Sequence, residues 1–254
     1  MADRDEIITF CDRLLDAPSF DDWGPNGLQV PGRREVGKVA TAVSAHIESI
    51  RAAIDCGADL LICHHGLFWD FHPRALTEPM AARLKTALDA ELSIAGYHLP
   101  LDASPELGNN VSICRELGAE PEPAEFGRAK GSFVGVVGRF PEAVTVDELA
   151  ERIRKATGGR DPLIFDAGPD QVETVGVVTG AGASSIHEAI GLGLDAFITG
   201  EPSEHVMADA REGGIHFFAA GHYATEASGI RNLGREIAGR FGVEEEFIDV
   251  PNPV

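Results

Sequence analysis

The segment Ser49 to Ile62, SIRAAIDCGADLLI, returns as Ser185 to Ile198, SIHEAIGLGLDAFI, with every position displaced by 136, so that Asp59 becomes Asp195. Each copy reads as a helix, a glycine stop and a short strand without polar alternation, the pattern of a strand covered on both faces. A helix feeding such a strand is the repeating unit of a parallel sheet, so a chain that carries it twice is confined to an α/β architecture of two matched halves. The match extends past the strands. Each half closes on a histidine followed four residues later by a carboxylate, His98 with Asp102 and His222 with Glu226. The first strand also runs into His64 and His65, so residues able to ligate a metal collect at strand ends, where open α/β sheets bind their ligands.

The remaining elements fit this frame. Asp3 to Leu15 has apolar residues at helical spacing and precedes the breaker-rich loop Asp21 to Gly27. Val39 to Ser44 reads as a strand, Ile47 to Cys56 as a helix closed by Gly57, and Asp59 to Cys63 as the next strand, which makes a βαβ unit. Helices are predicted over 79–88 and 108–117, with a strand over 92–95 between them. From 121 to 166 the pattern becomes strand, helix, strand, with Thr145 and Glu148 forming a capping box ahead of a helix to Ala156. That segment is read as part of the fold's second layer rather than a separate domain. From Val172 the repeat returns and ends in strands over 196–199 and 215–219, a helix over 203–212 and a long helix from about His222 to Arg240. The expected subunit is α/β, with two intertwined, internally duplicated halves in one compact body. Residues 1–120 hold the first repeat with His64, His65 and Asp102; residues 121–254 hold the connecting β-α-β segment and the second repeat with His222 and Glu226.

A formal net charge of −20 sets the surface chemistry. The only lysines are Lys38, Lys85, Lys130 and Lys155, and arginine supplies the rest of the positive charge. Hydrated carboxylates suit a salt-rich cytoplasm such as that of a halophilic archaeon, because at 1 M salt the Debye length shrinks to about 3 Å and self-repulsion is screened. The same charge speaks against a nucleic-acid partner, which needs a basic surface. The four cysteines have no C-x-x-C spacing, no signal segment opens the chain, and no apolar run approaches the roughly 20 residues that span a bilayer. Reduced thiols in a cytoplasmic protein away from membranes are therefore expected.

Adjacent side chains at a strand end diverge, so His64 and His65 are suited to hold one ion each of a pair about 3.5–4 Å apart. His222 and Glu226, at i and i+4, share a helix face and are able to grip one ion together. Asp102 stands at the equivalent place in the first half, where a carboxylate would bridge two cations and offset their charge. Pro100 argues against a regular helix there, so His98 is assigned to ligand support, proton transfer or substrate contact rather than coordination. Glu201 and His205 follow the second strand as His64 and His65 follow the first; a general base, a substrate ligand and a solvated loop all remain open for them. His46, Trp69 and His72 read as packing or surface residues. Gly180-Ala181-Gly182 reads as a tight strand-to-helix turn, and no nucleophile elbow or Walker loop is present.

Five ordered motifs, Asn26-Gly27-Leu28-Gln29-Val30, His64-His65-Gly66, His98-Leu99-Pro100-Leu101-Asp102, Ile198-Thr199-Gly200-Glu201 and Gly221-His222-Tyr223-Ala224-Thr225-Glu226, resemble those of the NGG-interacting-factor-three-like proteins. These are also known as dinuclear metal centre proteins or GTP cyclohydrolase 1 type 2 homologues. The resemblance covers nearly the whole chain and implies a toroidal homohexamer with two divalent ions per subunit, held by His64, His65, Asp102, His222 and Glu226; Glu201 and His98 are the candidate proton carriers if such a centre is catalytic. Many members carry proline where this chain has Gly66, a change that removes no ligand.

Three functions follow as expectations. The first is a metal-dependent hydrolase acting through an activated water on a small molecule, of the GTP cyclohydrolase type. The second is a non-catalytic metal-binding ring or regulatory scaffold that binds a protein partner. The third, a nucleic-acid clamp, is disfavoured by charge. Imidazole with carboxylate suits iron, zinc, manganese, cobalt or nickel, and no other cofactor is expected.

Overall fold

The computed structural model describes residues 1–254, and the chain divides into two compact units. The first comprises Met1–Leu101 with Gly229–Val250, and the second Asp102–Ser228 with Pro251–Val254. The chain thus leaves the first unit, builds the second and returns. This differs from a division after residue 120 for a physical reason. The helix Asn109–Glu116 buries Ile113 and Cys114 with Leu149, Val175 and Phe218 of the second unit, and Glu244–Phe247 satisfies its backbone as a parallel strand beside Lys38–Ser44 of the first.

In the first unit a five-stranded sheet runs in the order Glu244–Phe247, Lys38–Ser44, Leu60–His65, Ser93–Gly96 and Gly27–Val30. The first four are parallel and the last is antiparallel. Its core joins Ala40, Ala42, Leu61, Cys63 and Ile94 of the strands to Ile50 and Ala53 of the helix Ile47–Asp55. The strand predicted to stop at Cys63 continues through His65, whose partner in register is Ser44.

The second unit has a six-stranded sheet in the order Leu163–Phe165, His216–Ala219, Ala196–Thr199, Val172–Val178, Val136–Val144 and Glu120–Glu122. Its three parallel strands are flanked by antiparallel ones. The 121–166 segment is therefore the border of this sheet, with the helix Val146–Ala156 lending Leu149 and Ile153 to the core. Thr145 and Glu148 form the expected reciprocal cap.

Two helical expectations change. The long last helix is two helices, His222–Thr225 and Ala227–Phe241, interrupted at Glu226. The Thr225 hydroxyl donates to the carbonyls of Gly221 and His222, and the Glu226 amide bonds to the Tyr223 carbonyl three residues back, which tightens and ends the turn. Pro100 lies inside a short helix, Leu99–Asp102, because a first turn leaves its N–H groups without helical acceptors anyway. No helix is long and apolar enough to cross a membrane.

Candidate metal centre

In the first unit, the carboxyl ends of the parallel strands deliver three histidines. His64 is fully buried, and its Nδ1 lies 3.0 Å from the Tyr97 carbonyl. A carbonyl only accepts, so Nδ1 carries the proton and Nε2 keeps the lone pair a metal needs. His65 has its Nδ1 3.1 Å from the Ser44 hydroxyl. His98 follows the Ser93–Gly96 strand and donates from Nδ1 to Asp22 Oδ1 at 2.8 Å. One nitrogen from each of the three rings lies within 4.8 Å of the others, so this cluster has the makings of a metal site.

The loop Asp21 to Gly27 is what holds His98. Asp22 also accepts from the Leu99 amide and from Asn26 Nδ2, while Asn26 Oδ1 accepts from the His98 amide at 2.9 Å. Burial pushes the Asp22 carboxyl up, but the hydrogen bond and charge of His98 outweigh it and hold the group below its usual range. Gln29 secures the turn after His65: its Oε1 accepts from the Leu67 amide at 2.7 Å and its Nε2 donates to the Pro25 carbonyl. A side chain at Gly66 in the present backbone would overlap the Gln29 amide.

In the second unit His222 follows the His216–Ala219 strand and opens a single helical turn. Its Nδ1 donates to Glu201 Oε1, and its Nε2 stands 3.0 Å from Glu226 Oε2. Burial would lower the His222 pKa; the carboxylates of Glu226 and Glu201 prevail and raise it to about 9. Glu226 is 2% exposed, a burial rare for a carboxylate unless it is paired, and the His222 ring is its partner here. Gly180, with φ of +65°, lets the backbone pass beside this pair, since a Cβ there would overlap Glu226 Oε1. Asp102, also buried, accepts from Asn109 Nδ2 at 2.8 Å. Asn110 fixes the backbone around it by donating to the carbonyls of Asp102 and Val134 and accepting from the Thr179 amide.

The other candidates separate. Glu201 touches His222 and holds its ring, whereas His205 is half exposed and bonds to Asp209 at 2.6 Å. His46 caps the helix Ile47–Asp55, and His216 is buried against the 167–169 loop. All four cysteines are free; burial pushes the Cys11, Cys63 and Cys114 thiols up, which keeps them protonated. Asp22, Tyr97, Asn109 and Asn110 were not anticipated as supports. Asp22 sat among loop formers, and a backbone carbonyl such as that of Tyr97 leaves no mark in a sequence.

Nearly the whole chain is similar to known proteins. A family model described as Duf34/NIF3 (NGG1p interacting factor 3) matches residues 2–253. The chain belongs to the DUF34/NIF3 family. It is 43% identical over 253 residues to the GTP cyclohydrolase 1 type 2 homolog of Vibrio cholerae, covering 98% of each chain. It is 41% identical over 248 residues to the protein of that name from Pseudomonas aeruginosa, covering 97% of each. The solved structure of protein ybgI, described as of unknown function, is similar with a TM-score of 0.94 at 39% identity, covering 100% of both chains. The α/β fold of this DUF34/NIF3 member is thus that of its relatives.

Proposed function

We propose that His64, His65, Asp102, His222 and Glu226 hold two divalent ions and that the protein is a metal-dependent hydrolase. The observation that carries this reading is the shared setting of the three histidines. Each has Nδ1 engaged, by the Tyr97 carbonyl, the Ser44 hydroxyl or the Glu201 carboxylate, and each keeps Nε2 for another partner. Imidazoles fixed in this way, together with two buried carboxylates, match the support that metal ligands need. Bound to such donors, divalent iron, zinc, manganese, cobalt or nickel supplies Lewis acidity and acidifies water towards neutral pH.

The chain's own groups then divide the work. Asp102 and Glu226 offset the positive charge, and Glu201 holds the ring of His222. His98, whose Nδ1–H is likewise held by Asp22, is assigned the proton-transfer role, with Nε2 taking or giving the proton as a general acid–base. The relatives' name, GTP cyclohydrolase 1 type 2 homolog, makes GTP the first substrate to try. In keeping with the family resemblance we assign the protein to the cytoplasm as a toroidal homohexamer, six times the 27.0 kDa chain mass by light scattering.

The test is formate release from GTP by metal-loaded protein. The hydrolase reading expects release that needs metal and falls about 10²-fold or more in His98→Gln, with metal content unchanged. Loaded protein that turns over no nucleotide, phosphoester or cyclic amide overturns it in favour of a metal-binding scaffold.

A further inference from the structure

We infer that His187, His205 and Asp209 form a separate, solvent-side site for a divalent ion of the zinc, nickel or copper class. All three belong to the second unit and none is among the five residues assigned above. His205 stands just ahead of the helix Val206–Gly213, Asp209 lies one turn along it, and His187 comes from the preceding helix Ile186–Gly191. One donor atom from each lies within 4.8 Å of the others.

The distances suit coordination. Zinc takes imidazole nitrogen at about 2.0–2.1 Å and carboxylate oxygen at about 2.0–2.2 Å, so tetrahedral donors stand roughly 3.3 Å apart. Asp209 Oδ2 is already 3.6 Å from His187 Nε2. Its 2.6 Å contact with His205 Nδ1 is a hydrogen bond, which an ion replaces when it displaces the shared proton and the side chains open slightly. The two rings are preset for this. Their planes differ by 9° with centroids 6.1 Å apart, and one nitrogen of each ring stands beside Asp209 Oδ2.

The three side chains also differ in the right way. Asp209 is the more buried member at 24% side-chain exposure and anchors the site, while His187 and His205 are open to solvent at 64% and 50%. Three protein donors leave coordination positions for water or an outside ligand, so the site exchanges its ion rather than trapping it.

Calorimetric titration of chelator-treated protein with Zn²⁺ at molar salt tests this, comparing wild type, His187→Ala/His205→Ala, Asp209→Asn and His222→Ala. The expected result is one class of Zn²⁺ sites, one equivalent per chain, that disappears in the double variant, weakens at least tenfold in Asp209→Asn and persists in His222→Ala. Because these side chains lie at the surface, the metal-free melting temperature of the double variant stays that of wild type. Equal Zn²⁺ stoichiometry in wild type and double variant overturns the inference, as does loss of this class in His222→Ala. Failure of the five-residue centre shows instead as no Zn²⁺ class that is sensitive to His222→Ala, and leaves this site standing.

Discussion

Glu201 stands to His222 as the Tyr97 carbonyl stands to His64: each fixes Nδ1 and leaves Nε2 to face a ligand. A charged acceptor does more than a neutral one, because it also stabilises positive charge on the ring. Glu201→Ala is therefore expected to weaken metal binding about 10–100-fold, the usual loss when a ligand's orienting partner is removed. Glu201→Gln keeps an acceptor and loses less. Competition with a chromophoric chelator measures both, and equal affinity in wild type and Glu201→Ala contradicts the role. Proton competition works at the same residue. Without an ion His222 stays protonated up to about pH 9 instead of its usual 6.5, so an ion taking Nε2 must displace that proton. Uptake then strengthens about tenfold per pH unit as pH rises towards 9, and an affinity flat across that window refutes the competition.

At the scale of elements, the caps and strands followed from local chemistry. Thr145 accepts from the Glu148 amide while Glu148 accepts from the Thr145 amide, so the helix Val146–Ala156 starts where its sequence says it must. Thr145→Ala should cost about 1 kcal/mol, read from urea unfolding with an unchanged slope. No loss would mean the cap is idle. The strand Ala196–Thr199 was likewise legible from its unbroken apolar run between Asp195 and Gly200. The break at Glu226 was not, because there the amide turns to the Tyr223 carbonyl three residues back, a tightening that no residue type in the sequence marks. The histidines were legible as strand-end residues, but their supports were not. Asp22 is 76 positions from His98 in sequence, and nothing in the loop's composition says which ring its carboxylate will hold.

For the whole molecule, the repeat predicted parallel strands in both halves, and each unit has them: Lys38–Ser44, Leu60–His65 and Ser93–Gly96 in one, Val172–Val178, Ala196–Thr199 and His216–Ala219 in the other. Where the chain passes between units was not readable, because an open sheet edge beside Lys38–Ser44 decides where Glu244–Phe247 pairs, and sequence order does not record open edges. The surface makes a further prediction. With a net charge of −20, repulsion among carboxylates opposes compaction, so the melting temperature should rise between 0.1 and 2 M KCl as screening tightens. A melting temperature that stays level or falls would remove the case for a saline cytoplasm.

The central claim is a pair of ions on five named side chains, and metal content per chain tests it most directly. Protein purified at high salt without chelator, analysed by elemental mass spectrometry as wild type and as His222→Ala, is predicted to carry at least two equivalents in the first and clearly fewer in the second. Wild-type protein that holds no stoichiometric metal, and takes up none on titration, would contradict the claim and leave the histidines as structural residues.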